Sequence, residues 1–114
     1  MSVTRVVAAV DHEIPDTPPI TIAPGDHVEV LERSDEWPAF VLVSTASGSG
    51  WVPERYLDGN RPTAAALRPY DTQELPARAG EQLTVLVDDP ESQWSWCQNA
   101  QGRTGWVPHS ALRP

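Results

Sequence analysis

Three histidines, one cysteine and sixteen carboxylates are the side chains that could hold a metal or move a proton, and their arrangement argues against both. His12, His27 and His109 stand far apart, and none has a ligand-like spacing to Cys97. No metal centre and no cofactor is therefore expected, and the histidines are assigned to the surface. There is no glycine-rich phosphate loop and no nucleophile elbow, and the carboxylates read as a solvated acidic face rather than an acid/base pair. The chain is expected to be non-enzymatic. Five tryptophans, twelve prolines and seven glycines in 114 residues instead describe a turn-rich, all-β protein.

Charge narrows the partners. The chain has no lysine, and eight arginines against sixteen acids leave it at −8, which argues against nucleic acid. Residues 1–60 hold ten acids and three arginines, and residues 61–114 hold six and five, so a basic partner is expected to favour the N-terminal half. No apolar run approaches the roughly 18 residues of a membrane span, and Met1–Val10 lacks a signal peptide's apolar core. With a lone cysteine, the expectation is a cytoplasmic protein without membrane contact. Recognition of glycans outside the cell would need export.

The elements repeat. A shift of fifty-five residues carries Gly25, Val30, Leu31, Gly50, Trp51, Val52 and Pro53 onto Gly80, Val85, Leu86, Gly105, Trp106, Val107 and Pro108. Trp37 falls on Ser92 under that shift, and Trp94 is taken as its match. Strands are expected at His27–Leu31 and Gln82–Val87, at Phe40–Val43 and Trp94–Gln98, and at the two Gly-Trp-Val segments. Pro53 and Pro108 stop the last of these, and a single helical turn follows each. The reading is two consecutive five-stranded barrels, 1–58 and 63–114, with 59–62 as a short stiff linker.

The closing segments carry a resemblance. Gly50-Trp51-Val52-Pro53-Glu54-Arg55-Tyr56-Leu57 resembles the ending of a Src-homology-3 (SH3) domain, and Gly105 to Leu112 matches it with Ala111 at the tyrosine position. Ala66-Leu67-Arg68-Pro69-Tyr70-Asp71 is similar to that family's opening, with Arg68 replacing its first tyrosine. Ala9 to Glu13 opens the N-terminal half without either aromatic residue.

The resemblance implies a module that binds proline-rich peptides in the polyproline II conformation. The implied peptide-binding residues are Trp37, Pro53 and Tyr56 in the first barrel and Tyr70, Trp94 and Pro108 in the second. An acidic rim of Asp11, Glu13 and Asp16, and of Asp71, Glu74, Asp88, Asp89 and Glu91, would pair a ligand arginine. A groove shared where the barrels meet would unite the two half-sets of aromatic residues. Trp51 and Trp106 are expected to pack, Trp96 to face the same side as Trp94, and Cys97 and Phe40 to lie in the core. His109 could supply the polar contact that Ala111 lacks. Pro15-Asp16-Thr17-Pro18-Pro19 reads as a rigid loop that could also dock into another copy and drive homo-oligomerisation. The rival reading is a structural protein whose aromatics serve packing and bind no peptide.

Overall fold

The computed structural model describes residues 4–114, so the first three residues of the Met1–Val10 opening lie outside the described residues. In chain order the strands are β1 (Thr4–Ala8), β2 (Thr21–Ile22), β3 (His27–Arg33), β4 (Phe40–Thr45), β5 (Gly48–Pro53), β6 (Thr63–Ala65), β7 (Tyr70–Asp71), β8 (Gln82–Asp89), β9 (Trp94–Gln98), β10 (Thr104–Pro108) and β11 (Leu112–Arg113). Two 3-10 turns, Glu54–Tyr56 and His109–Ala111, follow the prolines that end β5 and β10. No α-helix occurs among the described residues, and no helix is long and apolar enough to cross a membrane.

The compact units do not follow the 59–62 connection. One unit is the continuous stretch Pro18–Thr72, and the other joins the chain up to Thr17 with Gln73–Pro114. We call them the continuous unit and the split unit. The expected boundaries follow the sequence repeat, whereas the contacts follow the opening strands. In the split unit the sheet order is β10-β9-β8-β1-β11, so a strand from the chain's start lies between β8 and β11. In the continuous unit the order is β5-β4-β3-β6, and β2 pairs β7. Thr63–Asp71, which opens the C-terminal half, therefore belongs with Pro18–Leu57.

Matching hydrogen bonds make the exchange specific. Gly80 N–H donates to the Ala8 carbonyl (2.7 Å) as Gly25 N–H does to Ala66 (2.8 Å), and Ala9 N–H donates to Ala111 (2.7 Å) as Leu67 N–H does to Tyr56 (2.7 Å). His12 pairs Ala77 as Tyr70 pairs Ile22. Each of these backbone groups gains a partner of the same kind from the other half of the chain, so the exchange leaves no polar group unpaired at these positions. Gly25 and Gly80 turn at φ 91° and 90°, a conformation in which other residues are strained.

The cores are built alike. Ala8, Leu75, Ala77, Leu83, Cys97, Val107 and Ala111 form one buried cluster in the split unit. Ile20, Ile22, Val28, Val43, Val52, Leu57, Ala64 and Ala66 are buried in the continuous unit. Both β3 and β8 carry a register shift, at Val30/Glu32 and Val85/Val87. Leu31 and Leu86, two of the repeat's matched residues, are the extra residues there, and both turn outward at about half exposure.

Register also corrects one match. Phe40 lies opposite Pro53 as Trp94 lies opposite Pro108, and Val43 and Cys97 face Gly50 and Gly105. The counterpart of Trp94 is thus Phe40, not Trp37, and that of Cys97 is Val43. Trp37 sits three residues earlier, in the loop before β4, where its N–H donates to Ser34 Oγ (2.9 Å) and its carbonyl accepts from Phe40 N–H (2.9 Å). Residue type alone favours Trp37 as the match of Trp94, whereas strand register selects Phe40.

Candidate functional site

The exchange redistributes the aromatic residues. In the continuous unit, Tyr56 ends a 3-10 turn and Tyr70 opens β7, which pairs with β2. Their rings meet edge to face, with centroids 5.2 Å apart at 83°, the geometry favoured by the ring quadrupoles. Tyr70 is buried and Tyr56 half-buried. The sequence repeat places Tyr70 in the second barrel, but its ring partner is Tyr56, which the repeat places in the first.

Charge distinguishes this pair. The Arg55 guanidinium carbon lies 4.9 Å from the Tyr56 ring centroid and that of Arg68 lies 5.5 Å away, both within cation–π range. The neighbouring carboxylate of Glu54 is held elsewhere. It accepts from Arg33 Nη2 (2.6 Å) and Arg61 Nη2 (2.9 Å), and its pKa is lowered chiefly by the Arg33 hydrogen bond. Asp58 is also lowered, first by the Asn60 backbone N–H.

The split unit has a different set. By the matched hydrogen bonds, His12 stands where the continuous unit has Tyr70, and Ala111 where it has Tyr56. The His12 ring meets Trp94 edge-on (5.8 Å, 74°), and its Nε2 lies 3.1 Å from Glu74 Oε1. Its side chain is only 12% exposed, which corrects the surface assignment; His27 is exposed as expected. His109 Nε2 lies 2.7 Å from Asp88 Oδ1, which also accepts from Ser95 Oγ (2.9 Å). Asp11 is engaged as well, its Oδ1 accepting from Ala79 N–H (2.8 Å).

Of the eight rim acids, Asp11, Glu13, Asp16, Glu74, Asp88, Asp89 and Glu91 lie in the split unit with Trp94 and Pro108, and Asp71 alone lies in the continuous unit. Asp89 is buried at 8% exposure. The uneven charge of the two halves disappears in space, since each unit holds eight acids and four arginines. Pro53 and Pro108 are buried and so underlie the aromatic surface more than they form it.

Trp94 and Trp96 share a face, because they alternate along β9 with the buried residues Ser95 and Cys97. Trp106 packs as expected. It is 8% exposed and edge-on to Trp96 at 5.3 Å, and its backbone bonds Gln73 and Leu75. Trp51, also expected to pack, is 40% exposed. Cys97 is fully buried and its thiol is pushed up to about 11, mainly by burial and secondarily by Asp88.

No group of three or more histidine, cysteine or carboxylate side chains that could hold a metal occurs among the described residues. A shallow depression lined by Thr21, Asp26, His27, Thr45, Ala46 and Ser47 contains none of these aromatic residues. The two arginines at Tyr56 and the role of His12 escaped the sequence reading. For the arginines the signal was Arg68 where the resemblance expects tyrosine, whereas His12 is matched to Tyr70 only by the hydrogen bonds of the fold.

Residues 66–114 match the family model of the variant SH3 domain, a class of domain that generally mediates protein interaction. The chain is also similar to SH3 and PX domain-containing protein 2B of Mus musculus, with 25% identity, and to the Homo sapiens protein of that name, with 24%. Each alignment covers 99% of this chain and 14% of the relative, so the chain spans about one-seventh of the relatives it matches. The matched range begins at Ala66 and includes Tyr70, whereas in space Ala66–Thr72 belong to the continuous unit.

Proposed function

We propose that this chain is a non-enzymatic, cytoplasmic protein-interaction module. Two SH3-like copies would run in sequence over 1–58 and 63–114 with 59–62 between them, and their opening segments would be exchanged. Each unit would bind an extended, proline-rich peptide of another protein across its aromatic residues. The observation that carries this reading is the Tyr56–Tyr70 pair, which gathers into one unit aromatic residues that neither half of the sequence holds together. A preordered polyproline II ligand loses little entropy on such a surface. In the split unit, Trp94 with Glu74, Asp88 and Glu91 suits a ligand that also carries arginine. Exposed charge pairs there contribute about 0–1 kcal/mol and set orientation more than affinity.

The test is titration of the isotope-labelled chain with proline-rich peptides, reading shifts at Tyr56, Tyr70 and Trp94. Binding that weakens separately in Tyr56→Ala and Trp94→Ala supports two peptide sites. The rival, self-association without peptide, draws on the exposure of all of Pro15–Pro19. It predicts no shift with any peptide and a concentration-dependent mass by sedimentation.

A further inference from the structure

The matched strands β5 and β10 each end a sheet, but their outer edges differ. Glu54 N–H donates to the Ala39 carbonyl (2.8 Å) and His109 N–H to the Gln93 carbonyl (2.8 Å). Bonded and non-bonded pairs alternate along an antiparallel ladder, so Trp51 opposite Leu42 and Trp106 opposite Trp96 are both non-bonded pairs. Their N–H and C=O groups therefore point away from the ladder. In the split unit, residues 73–75 take these groups up: Trp106 N–H donates to Gln73 (3.0 Å), and Leu75 N–H donates to Trp106 (3.1 Å). The matching segment of the continuous unit is Pro18-Pro19-Ile20, whose one N–H, on Ile20, donates to Thr72 Oγ1 instead (2.9 Å). Ser49 stands opposite Ser44 in the next non-bonded pair. Among the described residues, no other segment bonds the outward groups of Ser49 or Trp51.

This edge is also unguarded. Residues 40–53 carry no charged side chain in a chain of net charge −8, and Trp51 is 40% exposed where Trp106 is 8% exposed. An uncharged strip is where two such acidic chains meet with least repulsion. Its register is self-complementary. Set antiparallel against a second β5 about a two-fold axis at Gly50, Ser49 of each copy faces Trp51 of the other, and each such pairing exchanges both of its hydrogen bonds. Gly50 then faces Gly50, where no side chain resists close approach, and the Trp51 rings of the two copies become diagonal neighbours on one face. We propose that the open β5 edge pairs with the β5 edge of a second copy of this chain, through Ser49, Gly50 and Trp51. The surface uses none of the residues assigned to peptide binding, so the inference goes beyond that reading and does not depend on it.

The test is sedimentation and amide hydrogen exchange of the full labelled chain from about 10 µM to about 1 mM, a range that reaches weak association. The mass should rise from one copy towards two. Exchange at Ser49 and Trp51 should slow severalfold over the same range, while Trp106, already bonded to Gln73, should exchange at one rate throughout. Trp51→Lys, which removes the ring and puts a charge on the edge, should abolish both effects. Ser49→Lys, at an exposed position, places a charge on the same edge without touching the ring, and it should also hold the chain to one copy. A mass of one copy at every concentration would overturn the proposal. So would a rising mass that leaves the Ser49 and Trp51 amides unchanged, or one that survives both variants, since either places the association elsewhere on the chain.

Discussion

Tyr70 meets Tyr56 edge to face at 5.2 Å although the chain places thirteen residues between them and the sequence repeat assigns them to different halves. What joins them is strand pairing between the two halves of the sequence, since β6 pairs β3 and β7 pairs β2. Tyr70 pairs with Ile22, while His12, its counterpart, pairs with Ala77.

Truncating Tyr70 should therefore damage the continuous unit. Tyr70→Ala removes a buried aromatic ring and should cost about 3–5 kcal/mol by urea unfolding, whereas Tyr70→Phe should cost much less. The ring signals of Tyr56 should move in both variants, and those of Trp94 should not.

Two glycines at matching positions should respond unequally. A Cβ on Gly105 would lie 2.6 Å from the backbone atoms Glu74 C and Leu75 N, which cannot turn away. A Cβ on Gly50 would meet Thr72 Cγ2 at 3.0 Å and Ile20 Cγ1 at 3.1 Å, both side-chain atoms. Gly105→Ala should destabilise the chain by about 1–3 kcal/mol and Gly50→Ala by clearly less, as thermal unfolding would show.

The Cys97 thiol, buried and raised to about 11, should stay unreacted with a water-soluble thiol reagent at pH 8. One thiol should appear on unfolding in guanidinium. Rapid native reaction would contradict its place in the core.

Acid should weaken the continuous unit through Glu54. Its folded pKa lies below the ordinary value of 4.5, so its contribution is complete above that value and is lost as pH falls through the folded one. The carboxylate is more than a third exposed, so solvent screening keeps the contribution to about 1 kcal/mol at most. Glu54→Gln should flatten that part of the stability profile in urea unfolding between about pH 5 and 3.

Sequence pattern located the strands well. β3, β4, β8 and β9 overlap the expected segments, and the helical turns follow Pro53 and Pro108. These elements are set by local alternation and by proline, which a linear reading can see. The owner of each opening strand was not legible, because Ala8 and Ala66 present the same small side chain and the same backbone groups to Gly80 and Gly25. Either choice satisfies the pattern, so the sequence alone leaves Tyr56 and Tyr70 in different halves, whereas the fold brings them together in one unit. Trp37 drew attention by residue type, while Phe40 holds the matching register. In sequence Arg55 and Arg68 are members of two separate segments, and the fold brings both onto one ring.

Hydrogen-bond scalar couplings in the labelled chain report which half of the sequence supplies the strand beside each turn. Couplings are expected from Gly80 N to the Ala8 carbonyl and from Gly25 N to the Ala66 carbonyl. Couplings from Gly80 to Ala66 and from Gly25 to Ala8 would contradict this pairing, returning each half its own opening strand and separating Tyr70 from Tyr56.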